Sequence, residues 1–330
     1  MLQAQEELYK LYHGGRATHM IALEIGGSNG LQGMIIGAST NMNIPVVDGD
    51  WMGRAYPTKW QTTPVVFKER DLIFAPVCVA DGNGNVLYMP AATSDVKVEN
   101  VLRAALSQMG SHVAVADGPV TGAETKRWAV EHTISLSWRI GREVARARRE
   151  NRIDRVAESI IDAVGGPETG RVIFKGKIVG VERTLRMGHI YGEVIIEGAD
   201  VNDDSNSGAT PSEFSGKIKI PFKNENIAAI RIHDEEKNVV GEEKNEDVLA
   251  IVPDLIAIID AQNGEAIGTP EYRYGLLVLV IGITASERWT SPRGIEIGGP
   301  KGFLMNHLEY TPLGKFVKPV SVIDEYDGKV

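Results

Sequence analysis

The stretch that most constrains this chain is a glycine-rich turn between a predicted strand and a predicted helix. Met20–Ile25 is the predicted strand, and the stretch Glu24-Ile-Gly-Gly-Ser-Asn-Gly30 begins in its last two residues and continues into the turn. Leu31–Met42 then has the apolar pattern of a helix. A second predicted strand, Ile44–Val47, comes directly after the helix. Such a short crossover is right-handed and leaves its strands parallel, so the N-terminal part of the chain is predicted to be α/β.

Three carboxylates follow these two strands. Glu24 lies at the end of the first, and Asp48 and Asp50 come after the second within Asp48-Gly-Asp-Trp-Met-Gly-Arg-Ala-Tyr-Pro57. Ligands of open α/β sheets bind beyond the carboxyl ends of the strands. We therefore predict that Glu24, Asp48 and Asp50 share one sheet edge, as candidate catalytic groups.

Polar residues around these carboxylates complete a candidate binding site. The turn supplies backbone amides at the start of a helix, which favours anions and oxyanions. Arg54 can bind a carboxylate or an amide in a bidentate contact. The predicted substrate-binding residues are Gly26, Gly27, Ser28, Asn29, Arg54, Thr62 and Thr63. The pattern indicates a general base, an anion-stabilising loop and an arginine clamp.

Turn chemistry alone also accounts for the same residues. Asp and Gly often end strands, Ser and Asn cap helices, and Arg54 can pair with Asp48 or Asp50. The turn is neither G-x-G-x-x-G nor a phosphate-binding loop, so it does not predict a nucleotide cofactor. The histidines form no zinc motif, and a dispersed divalent metal site that includes Asp48 and Asp50 stays open.

The remaining patterns divide the chain into two predicted domains. Val77–Ala80 and Val86–Met89 flank a turn typical of a β-hairpin, and residues 99–109 and 121–150 are predicted helices. The second helix carries an arginine-rich face, predicted to be solvated and paired with glutamates such as Glu143 and Glu150. The composition changes at Gly165-Gly-Pro-Glu168, which predicts an α/β domain over 1–167 and a β-rich domain over 168–330. The predicted strands of the second domain are 171–182, 190–197, 215–222, 227–233, 248–260 and 276–283, with polar loops at 198–213 and 234–247.

Composition limits the classes of partner. A net charge of −9 argues against a general nucleic-acid role, because such proteins usually carry a basic footprint. The longest apolar run, Leu276–Ile283, is too short to cross a bilayer, and no signal peptide is visible. The single cysteine, Cys78, is predicted to be a buried strand residue. We expect a cytoplasmic homo-oligomer with no membrane or nucleic-acid partner.

These motifs resemble the S-methyl thiohydantoin desulfurase family. The resemblance rests on Glu24–Asn29, Pro45–Pro57 and the pair Thr62-Thr63, and it continues through the second half of the chain. The matching segments there are Asn224-Glu225, Pro253–Asp260, Arg273-Tyr-Gly275 and Gly298-Gly-Pro300. The Asp-x-Asp-x-Met-Gly-Arg-Ala motif is the most specific part of the resemblance.

The resemblance implies an α/β domain followed by a β-rich domain, and hydrolysis of a thiohydantoin- or hydantoin-like ring. In that reaction Asp48 or Asp50 would activate water, and methanethiol would leave. Asp254 and Arg273 are predicted to support the site from the domain interface, an interdomain ion pair being the other interpretation. Family members also carry an additional N-terminal segment with its own glycine-rich turn. This chain begins after it, so part of the family's site is expected to be absent.

Two further functions stay open at this point. The resemblance also implies an association with hydantoinase/oxoprolinase subunits, so the chain could be a non-catalytic accessory subunit or domain of such an enzyme. A metal-dependent amidohydrolase is the third reading.

Overall fold

The computed structural model of the chain describes residues 2–198, 214–233 and 244–328. The chain forms two compact units, Met1–Ile134 and Ser135–Val330. The predicted polar loops 198–213 and 234–247 lie mostly outside the described residues. No helix of the described part is long and apolar enough to cross a membrane.

The first unit alternates short helices and strands, which confirms the predicted α/β class. Its elements in chain order are α1 Leu2–Leu11, β1 Met20–Ala22, α2 Asn29–Gly37, β2 Val46–Asp50, α3 Thr63–Phe67, β3 Val77–Ala80, β4 Val86–Met89, α4 Asp95–Gln108, β5 Ala114–Asp117, α5 Gly122–Trp128 and β6 Val130–Glu131. The strands form two three-stranded sheets with the orders β1-β2-β6 and β4-β3-β5.

The parallel pairing of β1 and β2 confirms the predicted β-α-β unit, although its boundaries differ. Helix α2 ends at Gly37 instead of continuing to Met42. A Cβ at Gly37 would lie 2.6 Å from Val46 Cγ2 and 2.7 Å from the Ile44 carbonyl oxygen, so the glycine lets the chain turn tightly into β2.

Strand β2 extends to Asp50, three residues beyond the predicted end at Val47. The extension comes from β6, where Glu131 and Val130 pair with Gly49 and Asp50. The sequence predicted one continuous helix over 121–150, and this was wrong. The strand pairing of β6 interrupts that helix, and fully buried Trp128 ends its first part.

The predicted hairpin is confirmed. Strands β3 and β4 pair in antiparallel register from Val77↔Met89 to Ala80↔Val86, and β5 pairs with the other edge of β3. Cys78 is fully buried in β3, as predicted. Helix α4 begins after Ser94, whose side chain accepts a hydrogen bond from the Lys97 amide. Apolar residues of these strands and of α4 pack into one core with Trp128.

The second unit is β-rich, as predicted. Its elements are α6 Thr133–Arg149 (whose first two residues belong to the first unit), α7 Val156–Ala163, β7 Gly170–Arg186, β8 His189–Gly198, β9 Lys217–Lys223, β10 Glu225–Asn226, β11 Ala228–Ile232, β12 Val248–Ile251, β13 Leu255–Asp260, β14 Leu277–Ile283, α8 Pro292–Gly298 and α9 Val322–Tyr326. Helices α6 and α7, which the predicted boundary assigned to the first domain, thus lie almost entirely in this unit.

An antiparallel sheet dominates this unit, with the strand order β12-β11-β9-β8-β7-β14-β13. The predicted strand 248–260 is split into β12 and β13 by a turn, in which the Asp254 amide donates to the Ile251 carbonyl at 3.1 Å. The arginine face of α6 pairs with glutamates as predicted, since Arg142 and Arg146 contact Glu143 at 3.0 and 2.9 Å.

Candidate functional site

A cavity of about 980 Å³ lies within the first unit. It is lined by residues of α1, β1, α2, α4 and β5 and of the loops that follow β1, β2 and β5. Two of the predicted site residues, Glu24 and Asn29, line it. Four charged residues that are at least partly buried also line it, and the sequence analysis did not select them: Lys59, Glu99, Arg103 and Asp117.

Glu24 is placed by the continuation of β1 along the neighbouring strand. The Leu23 carbonyl accepts a hydrogen bond from the Trp51 amide at 3.2 Å, so Glu24 follows directly at the sheet edge. The residue is only 9% exposed. Its Oε1 accepts a hydrogen bond from Asn29 Nδ2 at 2.6 Å, whereas Oε2 is buried and has no partner among the described residues.

The environment of Glu24 favours its neutral form. Burial raises the pKa of this carboxyl above its usual range, because removal from water penalises the charge. The Asn29 side chain, the Tyr56 backbone amide and the positive charge of Arg103 act in the opposite direction, without cancelling the effect of burial. A carboxyl with a raised pKa is better suited than an ordinary glutamate to donate a proton and to take one back.

The glycine-rich turn owes its composition to close packing. A Cβ at Gly26 would lie 2.6 Å from Ala55 Cβ, and Gly27 has a φ of +52°, which a side chain rarely adopts. Ser28 precedes α2 but makes no side-chain cap, and it is exposed. Of these four predicted turn residues, Asn29 is the one that lines the cavity.

Asp50 is a buried carboxylate that holds a turn. Both of its oxygens lie 2.9 Å from the Gly53 amide, and the Met52 amide donates to Oδ2 at 3.3 Å. Burial raises the pKa of Asp50 to about 7, although these amides, Thr133 and the Ile25 amide favour the charged form. The side chain is fully buried and does not line the cavity.

Asp48 and Arg54 do not line the cavity. Asp48 Oδ2 lies 3.0 Å from Nδ1 of His132, the residue that directly follows β6. Arg54 is buried, its Nε donates to the Ala55 carbonyl at 3.1 Å, and its guanidinium lies 4.3 Å from the centre of the Tyr56 ring.

The predicted threonine pair is fully buried. Both the amide and the hydroxyl of Thr63 donate to the Trp51 carbonyl, at 2.8 and 3.0 Å. The Thr62 hydroxyl is buried without a partner among the described residues. Thr63 thereby fixes the loop that follows β2.

The charged residues of the cavity form two ion pairs joined through Lys59. Lys59 Nζ lies 2.6 Å from Asp117 Oδ2, and the Lys59 amide donates to Glu99 Oε2 at 3.0 Å. Arg103 Nε lies 2.6 Å from Glu99 Oε1, and its Nη2 donates to the Pro57 carbonyl at 3.1 Å. The sequence contained one local signal for this group, the i,i+4 spacing of Glu99 and Arg103 on α4. The contact between Lys59 and Asp117 spans 58 residues and has no local signal.

Asp254 and Arg273 lie in the second unit. Asp254 is fully buried and accepts hydrogen bonds from the Ala285 amide at 2.8 Å, the Tyr310 hydroxyl at 3.0 Å and the Leu313 amide at 2.7 Å. Arg273 is exposed. Among the described residues, no group of three or more His, Cys, Asp and Glu side chains is arranged to hold a metal ion.

The fold and the cavity define a class of protein, an α/β unit with a cavity lined partly by carboxyl groups, followed along the chain by a β-rich unit. Two family profiles match the chain, "S-Me-THD-like, N-terminal domain" over residues 1–91 and "S-Me-THD-like, C-terminal domain" over residues 93–313. The chain therefore belongs to the S-Me-THD-like family, the S-methyl thiohydantoin desulfurase family that its motifs resemble.

A solved structure is similar over most of the chain. It is the X-ray crystal structure of a protein from Chromobacterium violaceum, with a TM-score of 0.69 and 17% sequence identity, and the match covers 94% of this chain and 78% of that chain. At this identity the likeness shows the fold alone. No curated protein matches the chain.

Proposed function

We propose that this chain hydrolyses an S-methylated thiohydantoin, or a closely related hydantoin-like ring, in the cavity of its first unit. Membership of the S-Me-THD-like family supports this substrate class. The observation that carries the proposal is Glu24, which lines the cavity and has one buried oxygen without a partner. A pocket that contains a titratable group with a shifted pKa is the usual form of an active site.

The reaction uses one water molecule and no oxidant or reductant. In the S-methylated ring, the carbon that bears sulfur is bonded to two nitrogens, one of which carries no hydrogen. Glu24 in its acid form protonates that nitrogen, which makes the carbon more electrophilic. The resulting carboxylate takes a proton from the water that attacks the carbon. The C–O bond forms, the C–S bond breaks, and the remaining hydroxyl proton leaves with the sulfur as methanethiol.

This proposal assigns the proton transfer to Glu24 and makes Asp48 the competing candidate. Both residues belong to the carboxylates predicted from the sequence, but the Asp48 carboxylate faces His132 at 3.0 Å. Asp50 is less suited to the role, since both of its oxygens lie 2.9 Å from the Gly53 amide.

Methanethiol release from an S-methylated thiohydantoin tests the proposal, measured with a thiol reagent in the presence and absence of added divalent metal. Wild type is expected to turn over. Glu24→Gln keeps the side-chain size but cannot carry the proton, so its kcat should fall by about 10²–10⁴-fold. Asp48→Asn is the matched control and should stay within about tenfold of wild type, since Asp48 does not line the cavity and faces His132.

Two results would contradict the proposal. Release that survives Glu24→Gln and disappears in Asp48→Asn would assign the base to Asp48. Absence of methanethiol release from wild type under every metal condition would remove the hydrolase function. Co-purification with a large ATP-dependent hydantoinase/oxoprolinase-type enzyme would then favour the accessory role.

A further inference from the structure

The cavity around Glu24 contains a second carboxylate with an unused oxygen. Asp117, the last residue of β5, binds Lys59 Nζ through Oδ2 at 2.6 Å, while its Oδ1 is buried and has no partner among the described residues. Glu24 Oε2 is in the same situation. Two residues that line one cavity thus each keep an acceptor oxygen without a donor, and a buried acceptor without a donor is costly.

The lysine and arginine residues of the cavity that are not exposed, Lys59 and Arg103, are already paired. Lys59 contacts Asp117 and lies 4.9 Å from the centre of the Phe74 ring, and Arg103 contacts Glu99 at 2.6 Å. The two other basic lysine and arginine residues of the lining, Arg16 and Lys126, are exposed. The buried groups that still need a partner are therefore carboxyl oxygens, and the complement of an ionised carboxyl in a ligand is a hydrogen-bond donor.

We infer that Asp117, held in place by Lys59, is a second ring-binding carboxylate of this site. Together with Glu24 it accepts two ligand N–H groups, so the cavity takes a cyclic ureide or amidine with two N–H donors instead of an anion. The inference rests on the proposed function, which places the ring in this cavity. It goes further by naming a binding residue and the hydrogen-bonding pattern of the ligand.

Two acceptors have a consequence for the reaction. A neutral S-methylated thiohydantoin ring offers one N–H group, whereas the ring protonated at its second nitrogen offers two. The hydantoin product also has two. Acceptors at Glu24 and Asp117 therefore stabilise the protonated ring and the species that follow it more than the neutral substrate, which is the condition for lowering a barrier.

Calorimetric binding of four product-like rings tests this inference: hydantoin, 1-methylhydantoin, 3-methylhydantoin and 1,3-dimethylhydantoin. Hydrogen bonds to charged groups contribute about 1.5–3 kcal/mol, so each N-methyl group should weaken wild-type binding by about 10–100-fold. We call this loss of affinity the methylation penalty of that nitrogen. In Asp117→Asn the penalty at one nitrogen should shrink to less than about threefold, and in Glu24→Gln the penalty at the other nitrogen should shrink in the same way. Asp71→Asn replaces an exposed aspartate outside the cavity lining and should keep both penalties.

Several outcomes would overturn the inference. Failure of hydantoin to bind wild type at millimolar concentration is one, and wild-type binding of 1,3-dimethylhydantoin as tight as that of hydantoin is another. Persistence of both penalties in Asp117→Asn would give Asp117 a purely structural role. If Asp117→Asn does not fold, Asp117→Glu replaces it, and an unchanged pattern of penalties in that variant counts against the inference.

The same data separate this inference from the proposed function. N–H-dependent binding without methanethiol release removes the hydrolase function but supports the ligand class. Methanethiol release without N–H-dependent binding supports the hydrolase function and overturns the inference.

Discussion

Glu24 and Asp50 occupy comparable positions and have different surroundings. Asp50 is the last residue of β2 and pairs with Ala22 of the neighbouring parallel strand, and Glu24 lies two residues after Ala22. Both carboxyls are buried, and burial raises the pKa of each. Asp50 directs both oxygens to backbone amides of its own turn, whereas Glu24 gives one oxygen to Asn29, keeps the other unpaired and lines a cavity.

The difference shows that burial and a raised pKa do not by themselves mark a functional carboxyl. Perturbed pKa values also arise in structural networks, so the hydrogen-bond partners decide between the two roles. Amides of Met52 and Gly53 use the oxygens of Asp50, which makes it part of the turn. The free oxygen and the adjacent cavity make Glu24 available to a ligand. Three predictions test this comparison.

The largest effect is expected from truncation of the two side chains. Asp50→Ala should lower the free energy of unfolding by about 3 kcal/mol, because each buried amide left without an acceptor costs about 1–3 kcal/mol. Glu24→Ala removes the acceptor of the exposed Asn29, which water can replace, and the acceptor of the Tyr56 amide, so its cost should be smaller, about 1–2 kcal/mol. Urea unfolding curves of both variants measure the difference. Equal losses would mean that Glu24 is as structural as Asp50.

The second prediction concerns pH. The pKa of Asp50 is about 7 in the folded protein against 3.8 ordinarily, so the folded state binds the proton more tightly. The resulting stabilisation is complete below the ordinary pKa and is lost as the pH rises through about 7. This group alone should make the protein about 2 kcal/mol less stable at pH 7 than at pH 5.

Asp50→Asn cannot titrate, and its stability should therefore lose that part of the pH dependence. Unfolding curves at several pH values, recorded side by side for wild type and Asp50→Asn, measure the change in slope. The same slope in both proteins would show that Asp50 is ionised across this range. Glu24→Gln should remove a contribution of the same sign, because burial also raises the pKa of Glu24.

The smallest effect is expected from the glycines of the two turns. Gly53, the donor to Asp50, has a φ of +68°, and a Cβ there would lie 2.8 Å from Val130 Cγ1. Gly27, in the turn after Glu24, has a φ of +52° and no atom within 4 Å of such a Cβ. Left-handed backbone costs a residue with a side chain about 1–2 kcal/mol, so Gly27→Ala should lose about 1 kcal/mol.

Gly53→Ala adds a steric contact to the same backbone strain. It should therefore be about 1 kcal/mol less stable than Gly27→Ala in parallel thermal or urea unfolding experiments. The opposite order would indicate that the turn after Glu24 is the more tightly packed of the two.

Local sequence patterns were sufficient to predict much of the fold of the first unit. The alternation of apolar segments and glycine-rich turns predicted the parallel β1–α2–β2 unit, and the Asp-Gly-Asn-Gly-Asn turn predicted the β3–β4 hairpin. Both features depend on residues close in sequence, where turn geometry and periodicity act directly. The same reasoning placed Glu24 at the sheet edge.

Long-range contacts decided the rest of the candidate site. Strand β6 lies about eighty residues from β2 in sequence, and its pairing extends β2 through Gly49 and Asp50. The helical periodicity of residues 121–150 predicted no strand at β6, so the sequence could not predict this extension. Lys59 and Asp117 meet across 58 residues of chain, so neither residue stood out in its own segment. Local sequence cannot show such pairs, because a residue's local pattern is the same whether or not its distant partner is present.

The sequence by itself determined the α/β and β-rich parts of this protein, the family resemblance, and a set of carboxylates at one sheet edge. Tertiary structure alone decided which carboxylate faces the cavity and which closes a turn. The physical reason is that a carboxyl group takes its role from the donors around it. For Asp50 those donors are backbone amides fixed by the extended strand β2. For Glu24 and Asp117, one oxygen each has no such donor within the described residues.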